Sequence, residues 1–415
     1  MTLQHLKNFA LLDPGQPEAK DGPRRGYEML IEGERIRELS DKPVKSAGAT
    51  TIDCGGHTLM PGLIDAHVHV IAALVNVGHN MLLPDATVAY QAARIMKGML
   101  HRGFTTVRDV GGALYPLVEA SDSGLIDAPR LMISGKALSQ TGGHADARTR
   151  YDDRPRETFQ RNLGAMGRIC DGVDEVRRAC REEIKQGAHL IKIMANGGVA
   201  SPNDPIHFLG FSRDEITAAV EEAANAGTYV SAHLYTDDAI RRAVECGVHS
   251  LEHCNLITEA TAKFAAGKGA IACPTLVTYE FLKTEGASLG LPPVSIAKID
   301  TVRLAGLESL DKMARAGLTM AYGSDLLGEM HRHQSEEFVI RGRVLPALEV
   351  LRSASSHAAK LLRREGQIGT LKAGAYADLI LVAGDPLKDL SLLTGQGKHM
   401  PLIMKGGTAY KRTLN

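Results

Sequence analysis

The chain has 415 residues, and its 48 Lys plus Arg balance 48 Asp plus Glu, so the formal net charge is zero. That balance gives no electrostatic footprint for nucleic acid or an anionic membrane surface, and no apolar run reaches the roughly 18 residues that a membrane helix needs. Hydrophobic residues at 44% and charged residues at 23% are ordinary globular composition, and the length suits one large domain with an accessory.

Residues 1–61 read as β structure. EMLIEGERIREL, residues 28–39, predicts two strands joined through Gly33, and ATTIDCGGHTLMPG, residues 49–62, predicts further short strands broken by glycines. PGLIDAHVHV, residues 61–70, then ends an apolar run with Asp65, His67 and His69 at alternating positions. On a strand, alternate side chains share a face, so both imidazoles point the same way. A His-x-His alone is as readily a chance pairing as half of a metal site.

The middle of the chain repeats a pattern in which a helix-like run ends in Gly and a β-rich run ends in a polar residue. HRG precedes FTTVRDV, KQG precedes AHLIKIM, NAG precedes TYVSAHL, ECG precedes VHSLEHC, GKG precedes AIACPT and RAG precedes LTMAYGSD. Gly103, Gly187, Gly227, Gly247, Gly269 and Gly317 each stand where a helix C′ residue should, because Gly tolerates the left-handed backbone needed there. FSRDEITAAVEEAANAG also carries a start signal, with Ser212 and Glu215 at capping-box spacing. Helix alternating with strand predicts a parallel sheet. With PGLIDAHVH and APRLMISG the strands number eight, so the expected fold class is α/β, a (β/α)8 TIM barrel over residues 62–368. A doubly wound sheet would carry a glycine-rich phosphate loop after its first strand, and VHVIAALVNVG is not one.

At the C-terminal end, AYADLILVAGDP predicts an apolar strand and LIMKGGTAYKR a hairpin about Gly406 and Gly407. Residues 1–61 and 369–415 are therefore expected to join as a small β-sandwich domain. The N-terminus lacks the pattern of a signal peptide. The six cysteines form no Cys-x-x-Cys, which fits free thiols in a reducing cytoplasm.

In a barrel the C-terminal strand ends share the face where active sites sit. The polar residues at those ends are His67, His69, Lys192, His233, His253 and Asp325. A lysine among metal ligands needs an account, because an ammonium has no lone pair. Desolvation near cations lowers its pKa, and the neutral amine can take up carbon dioxide. The carbamate so formed suits two metals about 3.5–4 Å apart. His67 and His69 would then hold one ion, with Asp325, and His233 and His253 the other, with Lys192 between. A plain Lys192–Asp325 ion pair is the alternative.

These motifs give the chain a resemblance to the amidohydrolase superfamily over nearly its whole length. It rests on PGLIDAHVH, IKIM with Lys192, SAHLY with His233, SLEHC with His253, GSD at 323–325 and the tail IGTLKAGAYADLILVAGDP. The resemblance implies a metal-bearing (β/α)8 barrel with a β-sandwich made from both termini. It also implies a binuclear hydrolase, since members with a lysine on the fourth strand usually hold two metals. Deaminases of the family tend to carry Glu three residues after the fifth-strand His, where this chain has Thr236.

Within the superfamily, SQTGGHAD, KIMANGGVASPNDP, HLYTDDAIRRAVECGVHSLEH and MHRHQSEEF most resemble prolidase-like carboxypeptidases and dipeptidases, and a group of amidases that hydrolyse ochratoxin. The resemblance implies that His144 and Tyr235 bind the substrate carboxylate or oxyanion. It implies two divalent metals, zinc by the imidazole-rich donor set, N6-carboxylation of Lys192, and attack of a metal-bridging hydroxide on the amide carbonyl. Asp325 would take and pass on the proton. The expected substrate is a small peptide or N-acyl amino acid, and a cytoplasmic homo-oligomer is expected. The alternatives are an ochratoxin-type amidase and a non-catalytic barrel scaffold, the latter disfavoured by the intact six-residue set.

Other residues compete for notice. His331 and His333 form a second His-x-His. The pair reads first as loop or helix residues with no metal, and the alternative is that they line the same mouth, with His331 binding the substrate. His189 and His249 begin their strands and belong to the opposite face, and Cys254 and Cys273 read as packing. Segments 135–188 and 197–212 follow barrel strands and are expected to shape specificity, with Arg148, Arg150 and Arg154 in the first.

Overall fold

In the computed structural model, which describes residues 2–201 and 203–414, the strands of the middle of the chain form two parallel sheets. The smaller runs through Leu63–Val68, Phe104–Asp109 and Arg130–Ile133. The larger takes Gly167–Ile169, Ala137–Ser139, Ile191–Met194, Val230–Thr236, Ser250–Leu256 and Ile271–Cys273 in spatial order. Its central strands are buried almost end to end, which explains why they read as apolar runs.

The break between the sheets falls at the end of the third expected strand, and segment 135–188, expected as a connection, supplies two more short strands. APRLMISG runs as Arg130–Ile133 beside Phe104–Asp109. The chain turns at Gly135, whose φ is +67°, and resumes as Ala137–Ser139 beside Ile191–Met194. A Cβ at 135 would sit 2.1 Å from the Glu183 carboxylate, so the turn requires Gly for space as well as for φ. One backbone bond spans the break, from His189 N to the Ile133 carbonyl at 2.8 Å.

The eighth expected strand, LTMAYGSD, forms no ladder. Met320 makes a single bridge to Ala272, and Tyr322 O accepts from Ala66 N at 2.8 Å. The backbone then turns, so that Ser324 N and Asp325 N both donate to the His67 carbonyl, at 3.2 and 2.9 Å. A strand cannot aim two successive N–H groups at one acceptor, and the turn takes Asp325 to a φ of +53°.

All six predicted helix-ending glycines stand at C′, with φ between +69° and +94°. They follow helices Asp85–His101, Val173–Lys185, Arg213–Asn225, Asp237–Glu245, Glu259–Gly267 and Gly306–Arg315. The capping box is present, with Ser212 Oγ accepting from Glu215 N and Ser212 N donating to Glu215 Oε2.

Both chain ends enter one eight-stranded sheet. Its strands are Leu3–Leu11, Arg24–Glu32, Arg35–Ser40, Thr50–Asp53, Thr58–Pro61, Leu379–Val382, Leu402–Lys405 and Thr408–Arg412. Around Asn8, φ +57°, the first strand changes partner from Thr50–Asp53 to Thr58–Pro61. Backbone bonds from Ile36 N to Ala375 O, and from Ala377 N to Glu34 O, bring the far edge back. The layers expected of a sandwich are thus one sheet curled around Leu6, Met29, Ile31, Leu59, Leu379 and Leu402. All six cysteines are free. Among the described residues no helix is long and apolar enough to cross a membrane.

Candidate active site

The strand that opens with PGLIDAHVHV delivers His67 and His69 to one side, as alternation requires. His67 Nε2 and His69 Nε2 lie 3.3 and 3.2 Å from the same atom, Asp325 Oδ1. Beside them, with the His253 ring centre 4.8 Å from that of His67, His233 Nδ1 faces His253 Nε2 at 2.8 Å. The four histidines thus each offer one ring nitrogen to the cleft, in two pairs. Each second nitrogen is held by an oxygen. For His67 this is Glu252 Oε2 at 2.7 Å, for His69 the Gly111 carbonyl at 3.1 Å, and for His253 Thr275 Oγ1 at 2.8 Å. His233 Nε2 approaches the Gly197 carbonyl at 3.4 Å. Oxygen partners behind each ring are what metal-bound imidazoles require, since they fix the tautomer and aim the lone pair. The donor set therefore fits divalent metals, and His67, His253 and Asp325 lie close enough for one ion to be shared among them.

The electrostatics agree with a site for cations. Burial and the neighbouring His144 and His253 hold His233 well below the usual imidazole range, and burial with His67 does the same to His253. Both rings are thus neutral, with lone pairs to give. At His67 burial again acts to lower the pKa, but Asp325 and Glu252 outweigh it and raise the pKa. The carboxylates that keep a proton on that ring would equally favour a metal ion. Lys192 is fully buried, and burial brings its ammonium down to about 8 against the pull of Glu252.

These groups line one cleft of about 1090 Å³, counted to its open mouth. His67, His69, Lys192, His233, His253 and Asp325 all reach it, and so do His144 and Tyr235. Asp325 keeps 18% of its side chain exposed there. His144 stacks on His233 with ring centres 4.2 Å apart, and its Nδ1 is held by Asp204 Oδ2 at 3.0 Å. Burial raises the Tyr235 hydroxyl well above the ordinary phenol range. The walls are apolar, with Val77, Met81, Met166, Met194, Leu282 and Leu327. Of the three arginines singled out in segment 135–188, Arg148 lines the cleft, joined by Arg156. Arg148 is held in a two-bond pair with Asp146.

His331 does not line this cleft. It is buried, and its Nε2 bonds to the Ala72 carbonyl at 3.1 Å. His333 stacks on Phe281 and reaches Glu285.

Several residues of the site carry no obvious mark in the sequence. Glu252 is wholly buried and accepts two bonds from Arg108, at 2.8 and 3.0 Å, one from Ser231 and one from Ser250, besides meeting His67. Burial opposes its ionisation, but Arg108 and His67 outweigh burial and hold the carboxyl well below its usual range. Tyr279 and Thr275 stand behind His253. Lys298 ties the loop that carries Asp204, donating to the carbonyls of Gly198, Ser201 and Asp204 at 2.8, 2.8 and 2.9 Å. The one available hint was Glu252, inside the SLEHC motif itself.

Comparison with known proteins gives a consistent result. A family model described as "Amidohydrolase family" matches residues 58–408. An ochratoxinase of Aspergillus niger is 31% identical over 97% of this chain and 85% of its own length. A solved amidohydrolase superposes with a TM-score of 0.97 at 52% identity, covering all of both chains. A prolidase solved with N-methylphosphonate-L-proline superposes with a TM-score of 0.96 at 48% identity, over 99% of this chain and 100% of its own.

Proposed function

The chain belongs to the amidohydrolase family and is an enzyme acting on amide or peptide C–N bonds, and from that premise we propose that it releases the C-terminal amino acid from dipeptides or N-acyl amino acids. The observation that carries the reading is the convergence of His67, His69, Lys192, His233, His253 and Asp325 on one cleft that also holds His144 and Tyr235. The relative solved with a proline phosphonate supports a small amino-acid leaving group. The two parallel sheets make up one (β/α)8 barrel over residues 62–368, interrupted at its third and eighth strands, and residues 1–61 with 369–415 make the second domain. The bonds that span the gaps, His189 to Ile133 and Ala66 to Tyr322, support this.

His67, His69 and Asp325 would hold one divalent ion, His233 and His253 a second, and Lys192, carboxylated on its amine, would lie between them. Zinc suits such a donor set. Bound there, the ions would polarise the scissile carbonyl and supply a nucleophile at neutral pH. Asp325 holds the proton released in attack and passes it to the leaving amine. Tyr235 donates its hydroxyl to a substrate oxygen, and His144, stacked on His233 beside it, meets the same end of the substrate. The apolar wall takes the acyl side and excludes water. The free thiols support a reducing compartment, the cytoplasm, and the chain is proposed to form a homo-oligomer, which sedimentation tests.

A second reading, release of Phe from a bulky aromatic amide, is favoured by the likeness to ochratoxinase and by the apolar wall. Zinc-loaded protein assayed on Xaa-Pro, Xaa-Phe, N-acetyl-Pro, N-acetyl-Phe and ochratoxin A separates the two. Metal-loaded enzyme that cleaves none of these amides would remove both readings. Lys192→Ala should lose bound metal and activity together, with partial rescue by a small carboxylic acid in place of the carbamate. Full activity in that variant would sink the bridging role.

A further inference from the structure

We propose that Tyr279 is a positioning residue that fixes Tyr235 as a hydrogen-bond donor into the cleft, and that it does so by relaying the proton arrangement of the metal ligand His253. The inference rests on the reading of the cleft given above and adds to it a residue and a coupling.

The argument is an accounting of hydrogens along a chain of buried polar atoms. His253 Nε2 faces His233 Nδ1. With an ion held there, both lone pairs are committed to it, so the remaining proton of the His253 ring is on Nδ1. That nitrogen lies 2.8 Å from Thr275 Oγ1 and 3.2 Å from the Tyr279 hydroxyl. It can only donate, so the Tyr279 oxygen is an acceptor on that side. Thr275 Oγ1, the nearer acceptor of the His253 proton, gives its own hydrogen to the Tyr279 oxygen, so the hydrogen of Tyr279 leaves by the other direction. Tyr235 OH, at 2.8 Å, is the partner there. Its oxygen accepts, and its own hydrogen is left to point at the cleft that both tyrosines line. Each link polarises the next, so the last hydroxyl is a better donor than an isolated phenol. Its natural partner is an anionic oxygen such as a substrate carboxylate.

The relay is held rigidly. Tyr235 and Tyr279 are 2% and 1% exposed, so neither hydroxyl can turn to bulk water. Tyr279 sits on helix Leu276–Glu285. The first N–H groups of that helix, Leu276 and Val277, both donate to the buried carboxylate of Glu337 at 3.0 and 2.7 Å. Arg341 holds the same carboxylate at 2.7 Å and reaches back to the Pro274 carbonyl. The helix start therefore cannot slide, and Tyr279 keeps its distance from both neighbours.

The test is a double-mutant cycle with a second readout that needs no substrate. The probe for binding is the non-hydrolysable N-methylphosphonate-L-proline, titrated into zinc-loaded wild type, Tyr279→Phe, Tyr235→Phe and the double variant, each checked for metal content and melting temperature. Tyr279→Phe should weaken binding about three- to tenfold, the scale of one lost hydrogen bond, and should add nothing in the Tyr235→Phe background. Additive losses would show that Tyr279 meets the ligand directly and would overturn the relay. In protein labelled with 13Cζ-tyrosine, Tyr279→Phe should also move the Tyr235 resonance, assigned by its loss in Tyr235→Phe. An unmoved resonance overturns the relay whatever the ligand does. A wild type that fails to bind the probe counts against the proposed substrate class, and the resonance then decides the relay on its own.

Discussion

Glu252→Gln tests how His67, a ligand in the proposed metal site, is held, and two magnitudes can be worked for it. Glu252 and Arg108 are both wholly buried and share two bonds, at 2.8 and 3.0 Å. Arg108 also donates to the Ala66 carbonyl and to Ser250 Oγ. The amide of Gln keeps the shape and one acceptor but removes the negative charge, leaving a guanidinium buried without its counter-ion. Breaking one side of such a pair costs about 3–5 kcal/mol, a large share of a total stability of about 5–15 kcal/mol. The second effect is at His67. Its Nδ1 loses a charged acceptor at 2.7 Å, and substitutions behind a ligating imidazole weaken metal binding about 10–100-fold.

Urea unfolding of the metal-free protein measures the first term, and zinc competition with a chelating dye measures the second. Adding Arg108→Met to Glu252→Gln removes both buried charges, so the double variant should regain part of the lost stability while staying weak for zinc. A single variant equal to wild type in both midpoint and zinc affinity would refute the reasoning. So would a double variant whose losses simply add.

The remaining predictions concern other parts of the structure. Burial holds His331 down to about 3. The folded state then refuses a proton that the unfolded chain takes up below about 6.5, so stability is complete above that pH and is lost as pH falls towards about 3. The loss has an upper bound of about 5 kcal/mol, and His331→Asn should flatten it in unfolding curves taken across that window; an unchanged slope would contradict the burial. At Gly198 a Cβ would lie 1.9 Å from His144 Cε1, so Gly198→Ala should displace that ring and lower kcat/KM about tenfold or more with metal content unchanged. Ser212→Ala removes the observed capping box and should lower the unfolding free energy by about 1 kcal/mol, read from urea unfolding curves, without touching activity.

The parts of this molecule that sequence makes legible are those where a single residue type answers a local demand. The six C′ glycines announce helix ends because almost nothing else takes a φ near +80° cheaply, and all six are where the pattern puts them. Imidazoles and a lysine at strand ends announce a site because they are poor core residues. What stays hidden is whatever depends on distant partners. Arg108 and Glu252 are 144 residues apart in the chain, and neither local propensity nor periodicity links them. The turn that ends APRLMISG depends on Gly135 meeting Glu183, and the failure of the eighth strand depends on two N–H groups choosing the His67 carbonyl. The SLEHC motif shows the limit most sharply. Alternation puts Glu252 and His253 on opposite faces of a strand, so at most one of them should serve the site. Both do, because His253 and Cys254 take φ values of +69° and +59° and turn the backbone within the motif. Such conformations cost of order 1–3 kcal/mol per residue and persist only where surroundings impose them. Here the surroundings are the Thr275 and Tyr279 hydroxyls at Nδ1 and the His233 ring at Nε2. The strain that defeats the pattern is therefore what lets one strand end present Glu252 to Arg108 and His67, and His253 to His233.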